Sequence, residues 1–192
     1  ADRLSAAVRC HRGCLIRYNA VQPGVPGRIT SFQNGYEYMS AEATPSTINP
    51  TQAFYDRISK AYDLISDGSE HKARERGEEV LGVAPGNRVL EIGYGTGHAC
   101  LDLAKLVGEQ GQVVGIDISP GMREVARKRL QEGGVADRVQ LDVGDARKLP
   151  YADGEFDHAF TSFTLELFPL EDIPAVLQEV LRVLKPGGRL GV

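Results

Sequence analysis

The stretch "VLEIGYGTGHA", Val89 to Ala99, decides the fold. With Arg88 it opens as "RVLEI", a short and nearly all-apolar run suited to a parallel strand buried on both faces. Three alternating glycines follow, and then Cys100, Leu103, Ala104 and Val107 recur at helical spacing. A strand, a glycine loop and a helix form the entry unit of an open α/β sheet, in which ligands sit at the carboxyl ends of the strands. The dinucleotide fingerprint G-x-G-x-x-G, counted from Gly93 and Gly95, needs Gly or Ala where this chain has His98. The pattern present is E-x-G-x-G-x-G. Gly93, Gly95 and Gly97 let backbone and ligand approach closely, whereas a carboxylate at Glu91 repels a pyrophosphate and favours a cation.

The same alternation continues on both sides. Downstream, "QVVGIDI" reads as a second strand. Ser119 offers an N-cap with Pro120 at the first helical position, and Met122, Val125, Ala126 and Leu130 form a packed stripe. "RVQLDVGDA" reads as a third strand with its exit loop, and "FDHAFTSF" as a fourth. A helix starting near Asp172 and Pro174 is expected to bury Ile173, Val176, Leu177, Val180, Leu181 and Leu184. "KPGG" ends that helix and "RLGV" begins a fifth strand. Upstream, Phe54, Ile58, Ala61, Tyr62 and Ile65 predict an amphipathic helix, and Glu70 to Leu81 a second, more charged one. Strands separated by helices of this length imply right-handed crossovers and a doubly wound, mostly parallel, Rossmann-like α/β sheet.

Composition bounds the function. The 192 residues, 42% hydrophobic and 25% charged, suit one globular domain with length to spare for an arm. A net charge of -4 argues against nucleic acid or an anionic membrane surface as the main partner, because both reward a dense basic face. There is no apolar run long enough to span a bilayer and no secretory-type leader, so the chain reads as cytoplasmic, with a small molecule as its partner. Three cysteines, Cys10, Cys14 and Cys100, make a disulfide framework unexpected. "CHRGC" lacks a second ligand cluster, and no metal site is predicted.

Residues 1–50 carry five Arg, no Lys and three acids, a balance of +2, against 17 basic and 23 acidic residues, a balance of −6, over 51–192. Turn-rich stretches such as "VQPGVPG" and "ATPSTINP" predict an irregular N-terminal arm over 1–50, with the ligand-binding domain over 51–192. Met39 opens a stretch that looks like an ordinary protein start, so residues 1–38 are expected to add little to the fold.

S-adenosylmethionine meets the demand of the acid-led loop, since it carries a sulfonium and an α-ammonium and no phosphate. Asp117, 24 residues after Gly93 at the end of the second strand, has the reach to accept hydrogen bonds from both ribose hydroxyls. NAD proteins also use an acid at that place, so Asp117 alone does not separate the ligands. Asp145, at the exit of the third strand, is placed to accept from an adenine amino group, with Ala146 offering its backbone.

"VLEIGYGTG", "GIDIS", "GDARKLPYADGEFD" and "LRVLKPGGRL" occur in the order and spacing of class I S-adenosylmethionine-dependent methyltransferases, which the chain resembles from about Tyr55 to Val192. The resemblance implies that Glu91, Gly93, Gly95 and Gly97 line the methionine end. It further implies that Asp117 and Ile118 bind ribose, Asp145 and Ala146 adenine, and that Ser162 lies near the transferred methyl group. Within that family, "FYDRISKAYDLIS" looks like the ubiquinone and menaquinone biosynthesis methyltransferases and their bacterial relatives, which implies Tyr55 and Tyr62 as a cover over the cofactor. Two departures stand out. Those enzymes typically carry an "FGLRN"-like segment after the fourth strand, where this chain has "FTLELF" (163–168). The family's sixth and seventh strands are absent, so a sheet truncated after strand five is expected.

These readings converge on methyl transfer from S-adenosylmethionine to a small, apolar acceptor such as a quinone precursor. Glu166 is the candidate base, because it should sit near the exit of the fourth strand. The competing readings are an NAD-dependent oxidoreductase and a non-catalytic cofactor-binding fragment. An unpaired edge at the fifth strand would also favour a homo-oligomer.

Overall fold

A computed structural model describes residues 5–9, 15–19 and 68–192 of the protein. The helix expected over Phe54–Ile65, Met39 and the Cys10–Cys14 stretch lie outside the described residues. The chain divides into two units, with the break between Pro45 and Ser46.

In the first unit, β1 (Ser5–Arg9) pairs antiparallel with β2 (Leu15–Asn19), Ser5 opposite Asn19 and Arg9 opposite Leu15. This corrects the expectation of an arm that is irregular throughout residues 1–50. Five-residue strands are too short to display the period on which a sequence reading rests, and cross-strand pairing rather than local propensity stabilises them.

The second unit carries α1 (Gly68–Leu81), β3 (Arg88–Ile92), α2 (His98–Val107), β4 (Gln112–Asp117), α3 (Pro120–Glu132), β5 (Val139–Val143), β6 (Phe156–Phe160), α4 (Ile173–Val183) and β7 (Leu184–Gly191). The five strands β3 to β7 form one sheet in the order β5-β4-β3-β6-β7, with every neighbouring pair parallel. Strand order reverses between β3 and β6, so a crevice opens there at the carboxyl ends of the strands.

Alternation in the central strands sends side chains into two separate cores. Val89 and Val113 join Cys100, Leu103, Val107, Met122, Ala126 and Leu130 beneath the α2 and α3 layer. Leu90, Ile92, Val114 and Ile116 join Phe156, Val176, Val180 and Val183 beneath α4. The buried face of α4 is thus Val176, Val180 and Val183, while Ile173, Leu177 and Leu181 are half-buried. Leu184, the first residue of the strand that follows, is buried as expected, and Val183 packs into the same core.

Ser119 caps α3 as its position predicts: its hydroxyl accepts the Met122 N–H at 3.1 Å, and Pro120 stands at the first helical position. The fifth strand starts earlier than "RLGV". Leu184 pairs with Phe156, the chain then bulges through Lys185–Gly188, and pairing resumes with Arg189 opposite His158. Gly187 holds a φ of 84° in that bulge, a conformation that L side chains resist. Among the described residues, no helix is long and apolar enough to cross a membrane.

Candidate functional site

The glycine loop runs from the end of β3 into α2, and its three glycines all adopt left-handed backbone, with φ of 72°, 49° and 83° at Gly93, Gly95 and Gly97. Their surroundings differ. A Cβ on Gly97 would lie 2.8 Å from the Ala126 Cβ, so this glycine lets α2 pack closely on α3. A Cβ on Gly93 would lie 2.3 Å from Oγ1 of Thr164, so a side chain of the loop after β6 already fills that place. A Cβ on Gly95 would meet nothing within 4 Å. Of the three, Gly95 is the one whose lack of a side chain leaves a surface to which a ligand can come.

Asp117 ties this loop to the end of β4. One of its carboxylate oxygens accepts the Gly95 N–H and the other the Ser119 N–H, both at 2.9 Å. It lies half-buried at the strand end. Ile118 is half-buried beside it. Ala146 is buried in the core under α4.

Glu91 differs most from its sequence reading. It lies on a central strand between Gly115 of β4 and Phe160 of β6, only 3% exposed, and its Oε2 has no hydrogen-bond partner. Burial pushes its carboxyl up to about 8; a hydrogen bond from Cys100 opposes this, and the Glu78 carboxylate adds to it. At neutral pH the group therefore holds its proton for most of the time, and the negative charge inferred from the sequence is latent. Burial likewise pushes the Glu78 carboxyl up to about 7, with Asp102 adding repulsion and Arg74 opposing. Gly115 makes room for this arrangement, since a Cβ there would meet the Tyr94 ring at 2.7 Å and the Cys100 Sγ at 3.0 Å.

Asp145 is half-buried at the exit of β5, and Arg147 grips both its oxygens. The guanidinium Nε donates to each at 3.0 Å, and a second guanidinium nitrogen, Nη2, donates to Oδ2 at 2.6 Å. Hydrogen bonds from Arg147 hold the Asp145 carboxyl below the usual carboxylate range. The same guanidinium reaches Asp172 at 2.7 Å, ahead of α4.

On the other wall of the crevice, Thr161 donates to the Ile92 carbonyl at 3.1 Å and is buried. The Thr164 hydroxyl lies 3.1 Å from the Ser162 carbonyl and 3.4 Å from that of Gly93. Ser162 is therefore brought to the glycine loop through Thr164. Glu166 is exposed on the short turn Leu165–Leu167, and the side chain of this segment that bonds the cradle is Thr164. His98 begins α2, and His158, half-buried on β6, keeps an Nδ1 without a partner.

The sequence reading missed Thr161, Thr164 and Arg147. Arg147 carries the only available signal, an Asp two residues before it whose side chain can accept its backbone N–H, as it does at 2.9 Å. Nothing in the pattern "FTSFTLELF" marks its threonines as partners of a loop some 70 residues away.

This geometry has known counterparts. Residues 89–188, just over half of the chain, match the family model described as "Methyltransferase domain". A ubiquinone/menaquinone biosynthesis C-methyltransferase of Ectopseudomonas mendocina is 41% identical over 83% of this chain and 60% of its own length. The chain thus spans about 60% of the length of the curated relatives it matches. Among solved structures, a SAM-dependent methyltransferase from Aquifex aeolicus is 29% identical, covers 67% of this chain and 68% of its own, and superposes with a TM-score of 0.56. The cyclase SpnF is 27% identical with a TM-score of 0.63, over 73% of this chain and 57% of its own. An acid-led glycine loop at the reversal point of a parallel sheet, matched across just over half of the chain by one family model, makes this protein a member of the class I S-adenosylmethionine-dependent methyltransferase family.

Proposed function

We propose that the protein binds S-adenosylmethionine in the crevice between β3 and β6 and transfers its methyl group to a small, apolar acceptor, a quinone precursor or a molecule of that kind. The observation that carries this reading is the open place a Cβ on Gly95 would occupy, with Asp117 bound to the Gly95 N–H and the buried Glu91, whose Oε2 lacks a partner, on the strand that leads into the loop. Those groups fit the cofactor: an acceptor for ribose hydroxyls, a bare backbone for close approach, and a latent anion for a cation. The relatives named for ubiquinone and menaquinone biosynthesis support the acceptor class.

When bound, the cofactor supplies an electrophilic methyl group on a sulfonium. The chain's own part is to hold, align and exclude water. Asp117 and Ile118 would hold the ribose, Asp145 and Ala146 the adenine, and Glu91 with the three glycines the methionine end. A cation beside Glu91 favours its charged form, so ligand entry draws off the Glu91 proton. Ser162 would border the reacting groups. Glu166 is the candidate to take a proton from the acceptor on its carboxylate; full turnover with an unchanged pH profile in Glu166→Gln removes it from that role. The reading places the protein in the cytoplasm with a small molecule as partner.

A second reading is cofactor binding without methyl transfer, and the exposed position of Glu166, the candidate base, favours it. Thermal-shift titration decides first between ligand classes. S-adenosylhomocysteine at 100 times its Kd should raise stability by about 2.7 kcal/mol, and NAD should leave it unchanged. A shift with NAD alone would overturn the cofactor assignment. A shift with S-adenosylhomocysteine but no labelled product from a panel of quinone precursors would favour the second reading.

A further inference from the structure

We propose that Thr164 is a positioning residue of the cradle: its hydroxyl holds the place of a ligand ammonium between the carbonyls of Gly93 and Ser162, and ligand entry displaces it. The inference rests on the reading of this crevice as an S-adenosylmethionine site. Pairing between β3 and β6 ends at Glu91 opposite Phe160, and just beyond it the Thr161 hydroxyl bridges to the Ile92 carbonyl at 3.1 Å. One residue further, the Gly93 N–H is spent on the Ile116 carbonyl at 2.8 Å, on the β4 side. Its own carbonyl is served from the β6 side, by Thr164 at 3.4 Å, and the same hydroxyl lies 3.1 Å from the Ser162 carbonyl.

A hydroxyl has one proton and cannot satisfy two acceptors at once, whereas an ammonium offers three donors and a charge. The two carbonyls therefore suit a cation better than they suit the threonine that now sits there. Thr164 is pressed onto the cradle, since a Cβ on Gly93 would meet its Cγ2 at 2.4 Å. The turn that delivers it is strained: Phe163 has a φ of 54°, and among the described residues no other non-glycine lies in that region. Releasing the hydroxyl from its carbonyls lets this turn relax, which couples ligand entry to movement of the exposed segment that carries Phe163 and Leu167.

The test uses the full chain as wild type, Thr164→Val and Thr164→Ser, with calorimetric titration of two probes. S-adenosylhomocysteine has the α-ammonium; methylthioadenosine has the same nucleoside and sulfur without the amino acid. Removing one competing neutral hydrogen bond should tighten S-adenosylhomocysteine about five-fold in Thr164→Val. Methylthioadenosine should change by less than about two-fold there, and Thr164→Ser, which keeps the donor, should match wild type for both. Amide exchange over residues 163–167 should quicken in Thr164→Val. Unchanged or weakened S-adenosylhomocysteine binding, or an equal shift for both probes, overturns the inference. If Thr164→Val does not fold, Thr164→Ala against Thr164→Ser makes the same comparison. Failure of wild type to bind either probe would sink the cofactor reading itself, a result distinct from the others.

Discussion

At the scale of single residues, three glycines that look equivalent in the chain answer to three different demands. Gly97 serves helix packing, Gly93 accommodates Thr164, and Gly95 faces open space. Gly97→Ala places a methyl group 3.0 Å from the Ala126 Cα in left-handed backbone, and should cost about 3 kcal/mol in urea unfolding. Gly95→Ala meets no neighbour and pays only for its φ of 49°, about 1 kcal/mol, yet it should lose most of its affinity for S-adenosylhomocysteine in a titration. Equal stability losses in the two variants would contradict this division. Glu91 shows the complementary lesson. Its place in the motif was plain from the sequence, but its state of protonation depends on Cys100, Glu78 and Gly115, which reach it from other elements.

At the scale of elements, the connection from β5 to β6 contains no helix, so its backbone groups must find partners elsewhere. Two side chains of α4 supply them. Arg182 donates to the carbonyls of Tyr151 and Leu149 at 2.8 and 3.0 Å, and Glu179 accepts the Leu149 N–H at 2.8 Å. Each also grips the other, Nε of Arg182 donating to Glu179 at 2.8 Å. Arg182→Leu should therefore destabilise the protein by about 2 kcal/mol, because two partly buried carbonyls lose their donor while Glu179 loses its counter-charge. Loss of Tyr151 and Leu149 protection in amide exchange would accompany it, and an unaffected connection would refute the role. None of this was legible from "ARKLPYADGE", where the sequence shows only a polar loop. The partners lie about thirty residues downstream, on a helix whose polar face looks like ordinary solvated surface.

At the scale of the whole molecule, two carboxyls buried on the same face of the sheet make stability depend on pH. An unfolded chain releases the Glu91 and Glu78 protons near the ordinary value of 4.5, while the folded chain keeps them to about 8 and about 7. Between these values the native state binds more protons than the unfolded one, so stability falls as pH rises and levels off above about 8. Urea unfolding from pH 5 to 8 should show this fall, and Glu91→Gln should make it shallower, leaving the part due to Glu78 below about pH 7; a wild-type curve that rises over this range would contradict the assignment. Ligand affinity should run the opposite way, since a cation prefers the charged form of Glu91: binding of S-adenosylhomocysteine should strengthen as pH rises toward 8, and that slope should vanish in Glu91→Gln.

The sequence by itself determined the order and kind of the described elements of the sheet unit and the cap at Ser119. Those features depend on local periodicity and on backbone demands that act within a few neighbours. The antiparallel pairing of residues 5–9 and 15–19 escaped it, because a short ladder is stabilised across strands. Only the tertiary structure decided which glycine borders open space, that Glu91 is enclosed and holds its proton, that Arg147 grips Asp145, and that Thr164 lies on Gly93. Each of these is a contact between segments distant in the chain, where burial and the packing of a neighbour, rather than the residue's own type, determine what its atoms can do.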